Sequence, residues 1–148
     1  MYCAAGLEDM IAAHEGRAVL TPHHGELAYL TGQPEETIAA RPEKAARDAA
    51  SRFGAVVVLK HARTIVATPE GHALVHDSEA PGLATGGSGD VLSGVIGGLL
   101  ARGAPPLVAA GWGVWLHGAA GCAAAEEIGP IGFLARDLLR HLPRLLAV

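Results

Sequence analysis

The residues best suited to chemistry lie in one stretch, Gly82-Leu83-Ala84-Thr85-Gly86-Gly87-Ser88-Gly89-Asp90-Val91-Leu92-Ser93-Gly94, where a glycine-dense turn runs into a helix-patterned segment. Such a turn exposes backbone N–H groups. Together with the positive end of the helix dipole, they form a preorganised site for phosphate or for negative charge developing in a transition state. Glycine is needed there because a Cβ would block close approach and positive-φ turns. The stretch is not a Walker A loop, since no Lys follows the glycines. Nor is it a dinucleotide fingerprint, since Leu92 stands where the last glycine belongs. Asp90 has two readings: an N-cap for the helix, or a base beside the anion site that takes a proton from a hydroxyl as phosphate arrives.

The histidines read less sharply. His23 and His24 beside Glu26 do not make a metal cluster, because adjacent side chains on an extended segment point apart and no third ligand is evident. His117 follows Trp115 and Leu116 in an apolar stretch and reads as a hydrogen-bonded core histidine. His14, His72, His76 and His141 read as surface residues.

The elements that must position these residues alternate between short apolar strands and helical patterns, which predicts an α/β fold without internal repeats. Residues 7–14 read as a helix, 17–20 as a strand, 26–30 as a helical turn and 35–53 as one helix closed by Gly54. Residues 55–60 are the clearest strand, a continuous β-branched run ahead of Lys60 of the kind buried on both faces of a sheet. Residues 64–68 and 72–76 flank Pro69-Glu70-Gly71 as a hairpin. Helices are predicted at 90–102, 105–127 and 135–145.

Composition excludes several classes. Of 148 residues, 50% are hydrophobic and 18% charged, and the mean hydropathy of +0.30 excludes a disordered chain. Eleven basic residues against fifteen acidic ones, without a basic run, argue against a nucleic-acid partner. Cys3 and Cys122 indicate neither a disulfide framework nor a zinc site, which fits a reducing cytoplasm. Residues 1–9 lack a basic n-region, so no signal peptide is expected. Residues 103–125 contain no Asp, Glu, Lys or Arg and are long enough to span a membrane. Pro105, Pro106, His117 and the Ala/Gly content instead predict a buried core helix, and no membrane partner is expected.

Four motifs in order resemble the ADP- or ATP-dependent NAD(P)H-hydrate dehydratases of the ribokinase-like superfamily. They are Thr21-Pro22-His23-His24-Gly25-Glu26, Val57-Val58-Leu59-Lys60 with Thr64, the glycine-rich turn through Asp90, and Leu116-His117-Gly118-Ala119-Ala120-Gly121. The third is specific to the dehydratases, because the superfamily shares only a looser glycine turn ending in Asp. The resemblance runs from about residue 17 onward and implies a three-layer α/β/α sandwich in which 1–148 form one partial domain, its N-terminal half missing.

By position, the resemblance implies that His23 contacts the hydrated nicotinamide nucleotide, with Glu26 in the same motif. It implies that Lys60, His61, Ala62, Arg63 and Thr64 line the adenine nucleotide, with Gly86, Gly87, Ser88 and Gly89 at its phosphates. Asp90 matches the substrate-binding acid and base. Mg²⁺ and ADP or ATP are implied as cofactor and co-substrate, and hydrated NADH or NADPH as substrate. The chain departs from the family at His24, where Pro is usual, at His61, where Gly is usual, and at Ala80. A vitamin or sugar kinase, or a non-catalytic nucleotide-binding remnant, are the alternatives. A missing half would leave a sheet edge and close-packing helix faces open, so a homo-oligomer is expected.

Overall fold

The computed structural model describes residues 6–147; Cys3 and the start of the segment read for a signal peptide lie outside them. The chain begins with α1 (Leu7–Ala12) and β1 (Val19–Leu20), then α2 (His24–Thr31), α3 (Glu35–Ala40) and α4 (Pro42–Phe53). Three strands follow: β2 (Val56–Leu59), β3 (Arg63–Ala67) and β4 (Ala73–Asp77). After a 3-10 turn (Pro81–Ala84) come α5 (Ser88–Ala101), α6 (Pro106–Ile128), α7 (Ala135–Leu138) and α8 (Leu142–Leu145).

The strands form one mixed sheet in the order β1-β2-β3-β4. β1 pairs parallel with β2, and β3 is antiparallel to both β2 and β4, so the predicted hairpin is present. Every residue of β2 is buried because the two sheet faces carry separate cores. Val57 and Leu59 pack into the layer built by α1 to α4, while Val56 and Val58 pack against α5 and α6. The period of two along the strand thus divides one apolar run between two helical layers, giving an α/β/α sandwich.

Small residues let α5 and α6 approach closely. A Cβ added to Gly113 of α6 would lie 2.4 Å from Ile96 Cγ1 of α5, and one added to Gly121 would lie 2.7 Å from Leu83 Cγ. α6 is long and apolar enough to cross a membrane by length and composition, but half of its most apolar window is buried inside the fold. Its Ala109, Ala110 and Val114 pack with Val56, Val58 and Val66 of the sheet, as a core helix requires.

Several predicted boundaries move, and three of them have a local reason. The helix expected over 35–53 is two helices, because Pro42 lacks an N–H and disfavours helical geometry in the preceding residue; Arg41 sits at φ −143°, ψ 62°. The segment 135–145 likewise divides, with Pro143 in the first turn of α8. α2 starts at His24, two residues before the predicted turn, because His23 and Glu26 form a reciprocal capping box that extends the helix N-terminally.

Candidate functional site

Parallel pairing of β1 and β2 sends both strands out of the sheet at the same end, where α/β sheets place ligands. The pairing extends past β1 as a bridge between His23 and Lys60, with the Lys60 N–H donating to the Pro22 carbonyl at 2.8 Å. The N-terminus of α5 closes the third side, and the Thr21 and Ser93 hydroxyls lie 3.0 Å apart across it. Two motifs distant in sequence thus meet the glycine-rich turn at one sheet end.

Lys60 is the hub. Its Nζ lies 3.3 Å from Glu26 Oε2, and a Cβ on Gly89 would come within 3.1 Å of it. Glu26 Oε2 also accepts the His23 N–H at 2.7 Å, and His23 Nδ1 accepts the Glu26 N–H at 3.2 Å. That bond assigns the ring proton of neutral His23 to Nε2. Burial works against charge on Glu26, but the His23 N–H and the Lys60 ammonium outweigh it and hold the carboxyl below its ordinary pKa.

Gly87 caps α5 in the left-handed region, φ 85°, which places Asp90 inside the first turn and not at the N-cap. The structural reading of Asp90 as a cap is therefore corrected. Among the described residues, the N–H groups of Gly86, Gly87 and Gly89 have no hydrogen-bond partner. They are open donors at the positive end of a fourteen-residue helix. Ser88 is buried and bound from the neighbouring helix α6: His117 Nε2 lies 2.8 Å from its Oγ and 3.0 Å from its carbonyl oxygen.

Two cavities meet at this turn. One, about 750 Å³, is lined by Thr21, His23, Glu26, Tyr29, Asp90 and Ser93 among others. The other, about 570 Å³, takes in His61, Ala62, Thr64, Thr85, Ser88 and His117. His23, Lys60 and Gly89 border both. Gly87 faces the larger cavity. Arg63 and Gly86 line neither, and Arg63 reaches an exposed ion pair with Asp77 at 3.8 Å.

Some residues were missed or misplaced by sequence reasoning. His76 is half-buried and lines the smaller cavity beside Gly118, where an added Cβ would lie 2.6 Å from its Nε2. Only the alternation of β4 hinted at this. The His141 side chain, also read as a surface group, is 16% exposed and lies 3.6 Å from Glu127. His24 and His61 stack face to face, with centroids 4.8 Å apart and planes 2° apart. Burial and then the neighbouring His61 lower the His24 pKa, and its Nε2 is buried without a partner. No sequence signal links these two positions.

Residues 2–144 match the protein family described as NAD(P)H-hydrate dehydratase, beginning well before residue 17. The chain belongs to the NAD(P)H-hydrate dehydratase family. It is 44% identical over 144 residues to an ADP-dependent (S)-NAD(P)H-hydrate dehydratase of Xanthomonas campestris, covering 97% of this chain and 50% of that protein. An ADP/ATP-dependent NAD(P)H-hydrate dehydratase from Bacillus subtilis, co-crystallised with ATP/Mg²⁺, superposes with TM-score 0.81 at 34% identity over 87% of this chain and 47% of that one. A ribokinase-like superfamily protein from Enterococcus faecalis matches with TM-score 0.76 at 28% identity, covering 89% of this chain and 44% of that one. The fold is therefore ribokinase-like, and the chain spans about half the length of these relatives. Each of the four dehydratase motifs contributes residues to the walls of the two cavities: Thr21 to Glu26, Lys60 with Thr64, the glycine-rich turn with Asp90, and His117 with Gly118.

Proposed function

We propose that the chain supplies the phosphoryl-transfer half of an ADP- or ATP-dependent NAD(P)H-hydrate dehydratase. In this reading the larger cavity takes the hydrated nicotinamide and the smaller one the adenine nucleotide. The observation that carries it is the junction: Asp90 faces one cavity, and the glycine turn and Lys60 lie where the two meet.

Hydroxide is a poor leaving group at neutral pH, and phosphorylation converts the ring hydroxyl of the hydrate into a good one. Asp90 removes the hydroxyl proton while the oxygen attacks the terminal phosphorus and the P–O bond to the nucleotide breaks. The open N–H groups of the turn and the Lys60 ammonium stabilise charge on the transferring group. The ring nitrogen then expels phosphate, and loss of a ring proton restores the dihydronicotinamide. His23 orients the hydrate, and Thr64 with residues 60–62 borders the nucleotide. Mg²⁺ fits an oxygen-donor site of this kind, since Glu26 and Asp90 face the larger cavity and the ion typically takes one or two carboxylates plus phosphate oxygens. When bound, it offsets phosphate charge. Metabolite repair in the cytoplasm, by an assembly of more than one copy, completes the proposal.

The test is spectroscopic. Purified chain with hydrated NADH, Mg²⁺ and ADP or ATP should restore NADH absorbance with release of phosphate. Accumulation of a phosphorylated alcohol would support the kinase alternative, and nucleotide binding without turnover would support the remnant.

A further inference from the structure

One imidazole on the wall of the smaller cavity, that of His117, has no part in the proposed reaction. We infer that His117 is a proton-accepting contact for the phosphate chain, so that an anion entering the smaller cavity is bound together with a proton taken up on this ring. The inference rests on the reading of that cavity as the nucleotide site.

Three observations carry it. First, His117 projects from the middle of α6 to the cavity wall, and one nitrogen is already engaged at the anion turn through Ser88 Oγ and Ser88 O at 2.8 and 3.0 Å. The Ser88 carbonyl can accept from Nε2–H in both charge states, so protonation leaves that bond intact and adds a second N–H donor at Nδ1. Second, Lys60 is the one Lys, Arg, Asp or Glu that lines this cavity, and the other titratable side chains there are imidazoles. β4 presents His76, Lys60 follows the end of β2, and His23 and His61 stand on the same wall; β3 contributes Thr64, α5 Ser88 and Gly89, and the 3-10 turn only apolar residues. No Asp or Glu lines this cavity. Third, the ring is neutral in the empty site: burial depresses its pKa most, the Ser88 carbonyl acts in the other direction, and His76 and Lys60 depress it further.

A polyanion reverses the balance, because phosphate oxygens supply the opposite charge that the cavity lacks. The sign follows from linkage. The His117 pKa is low in the free protein and raised in the complex, so affinity is greatest below the free value and falls as pH rises through the bound value. One linked proton limits the slope to about tenfold in affinity per pH unit.

The experiment is calorimetric titration of the 148-residue chain with ADP, and separately with inorganic pyrophosphate, in two buffers of different ionisation enthalpy at pH 7. The expected result is a buffer-dependent heat corresponding to uptake of up to one proton per ligand, abolished in His117→Asn. Binding with buffer-independent heats overturns the inference and leaves the nucleotide reading standing. Uptake that persists in His117→Asn also overturns it, since another imidazole then takes the proton. Absence of binding by both ligands overturns the inference together with the reading it rests on. Should His117→Asn fail to fold, the imidazole resonances of the wild-type chain, followed by NMR through the same titrations, decide the matter: protonation of the His117 ring on binding supports the inference, and an unchanged His117 ring overturns it.

Discussion

The two cavities share His23, Lys60 and Gly89 yet differ in charge. The larger holds the carboxylates Glu26 and Asp90, whereas the smaller is walled by Lys60 and four histidines without a single acid. A carboxylate near a phosphoryl group is tolerated only where it takes a proton or joins a cation. In the proposed reading, this separation puts proton removal on one side and anion binding on the other, with one lysine between them. A site arranged this way polarises the group that passes through it and keeps its base away from the phosphate store.

Asp90→Asn tests the sharpest difference and should have the largest effect. Loss of a general base should lower the rate of hydrate dehydration by about 10²- to 10⁴-fold, with metal-free ADP affinity unchanged because Asp90 does not line the smaller cavity. Steady-state rates and calorimetry on the same preparation check both halves. An equal loss in binding would merge the two cavities into one functional unit.

Lys60→Met removes the shared cation. Its charge-assisted contacts are each worth about 1.5–3 kcal/mol, so ADP affinity should fall by about 10- to 100-fold. The Glu26 carboxyl should titrate at higher pH as it loses this partner, which NMR would follow. A weakened ADP titration with an unmoved Glu26 would mean that the ion pair does not persist in solution.

A subtler wedge is Gly89→Ala. The new Cβ meets only the flexible end of Lys60 at 3.1 Å. Ala exceeds Gly in helix propensity by about 1 kcal/mol, so the melting temperature should hold or rise. Binding of both ligands should weaken as the Cβ obstructs the open N–H of residue 89. A variant with full affinity would remove that N–H from the anion site.

The smallest effect concerns pH. His24 and His117 both have lowered pKa values in the folded chain. The unfolded chain then binds more protons near pH 6, and stability present above the ordinary imidazole value is lost as pH falls through the folded values. Melting curves should show a lower midpoint at pH 5 than at pH 7.5. His61→Gly, which removes the stacked ring, should move the His24 titration upward. A fixed His24 titration would mean that burial alone sets it.

Much of this was legible beforehand, where local chemistry dictates local shape. Gly87 reaches φ 85° in the turn that its glycines foretold, and residues 55–59 are buried on both faces as an uninterrupted apolar strand must be. Helix boundaries were less legible at Arg41 and near Pro143, where a proline decides between one helix and two. At Arg63 position in a motif did not fix direction, because alternation along β3 carries that side chain to Asp77 and away from the cavities.

The sequence by itself determined the anion turn, the acid inside it, the two-faced strand and the family that shares these motifs, because each depends on neighbours within a few residues or on an ordered series of short patterns. Tertiary structure alone decided which distant groups meet: Lys60 with Glu26 and Gly89, His117 with Ser88 across twenty-nine positions, and His24 with His61. Those contacts depend on the parallel register of β1 with β2 and on the close approach of α6 to α5. Register and helix approach are set by packing of the whole sandwich, which no local stretch of the chain encodes.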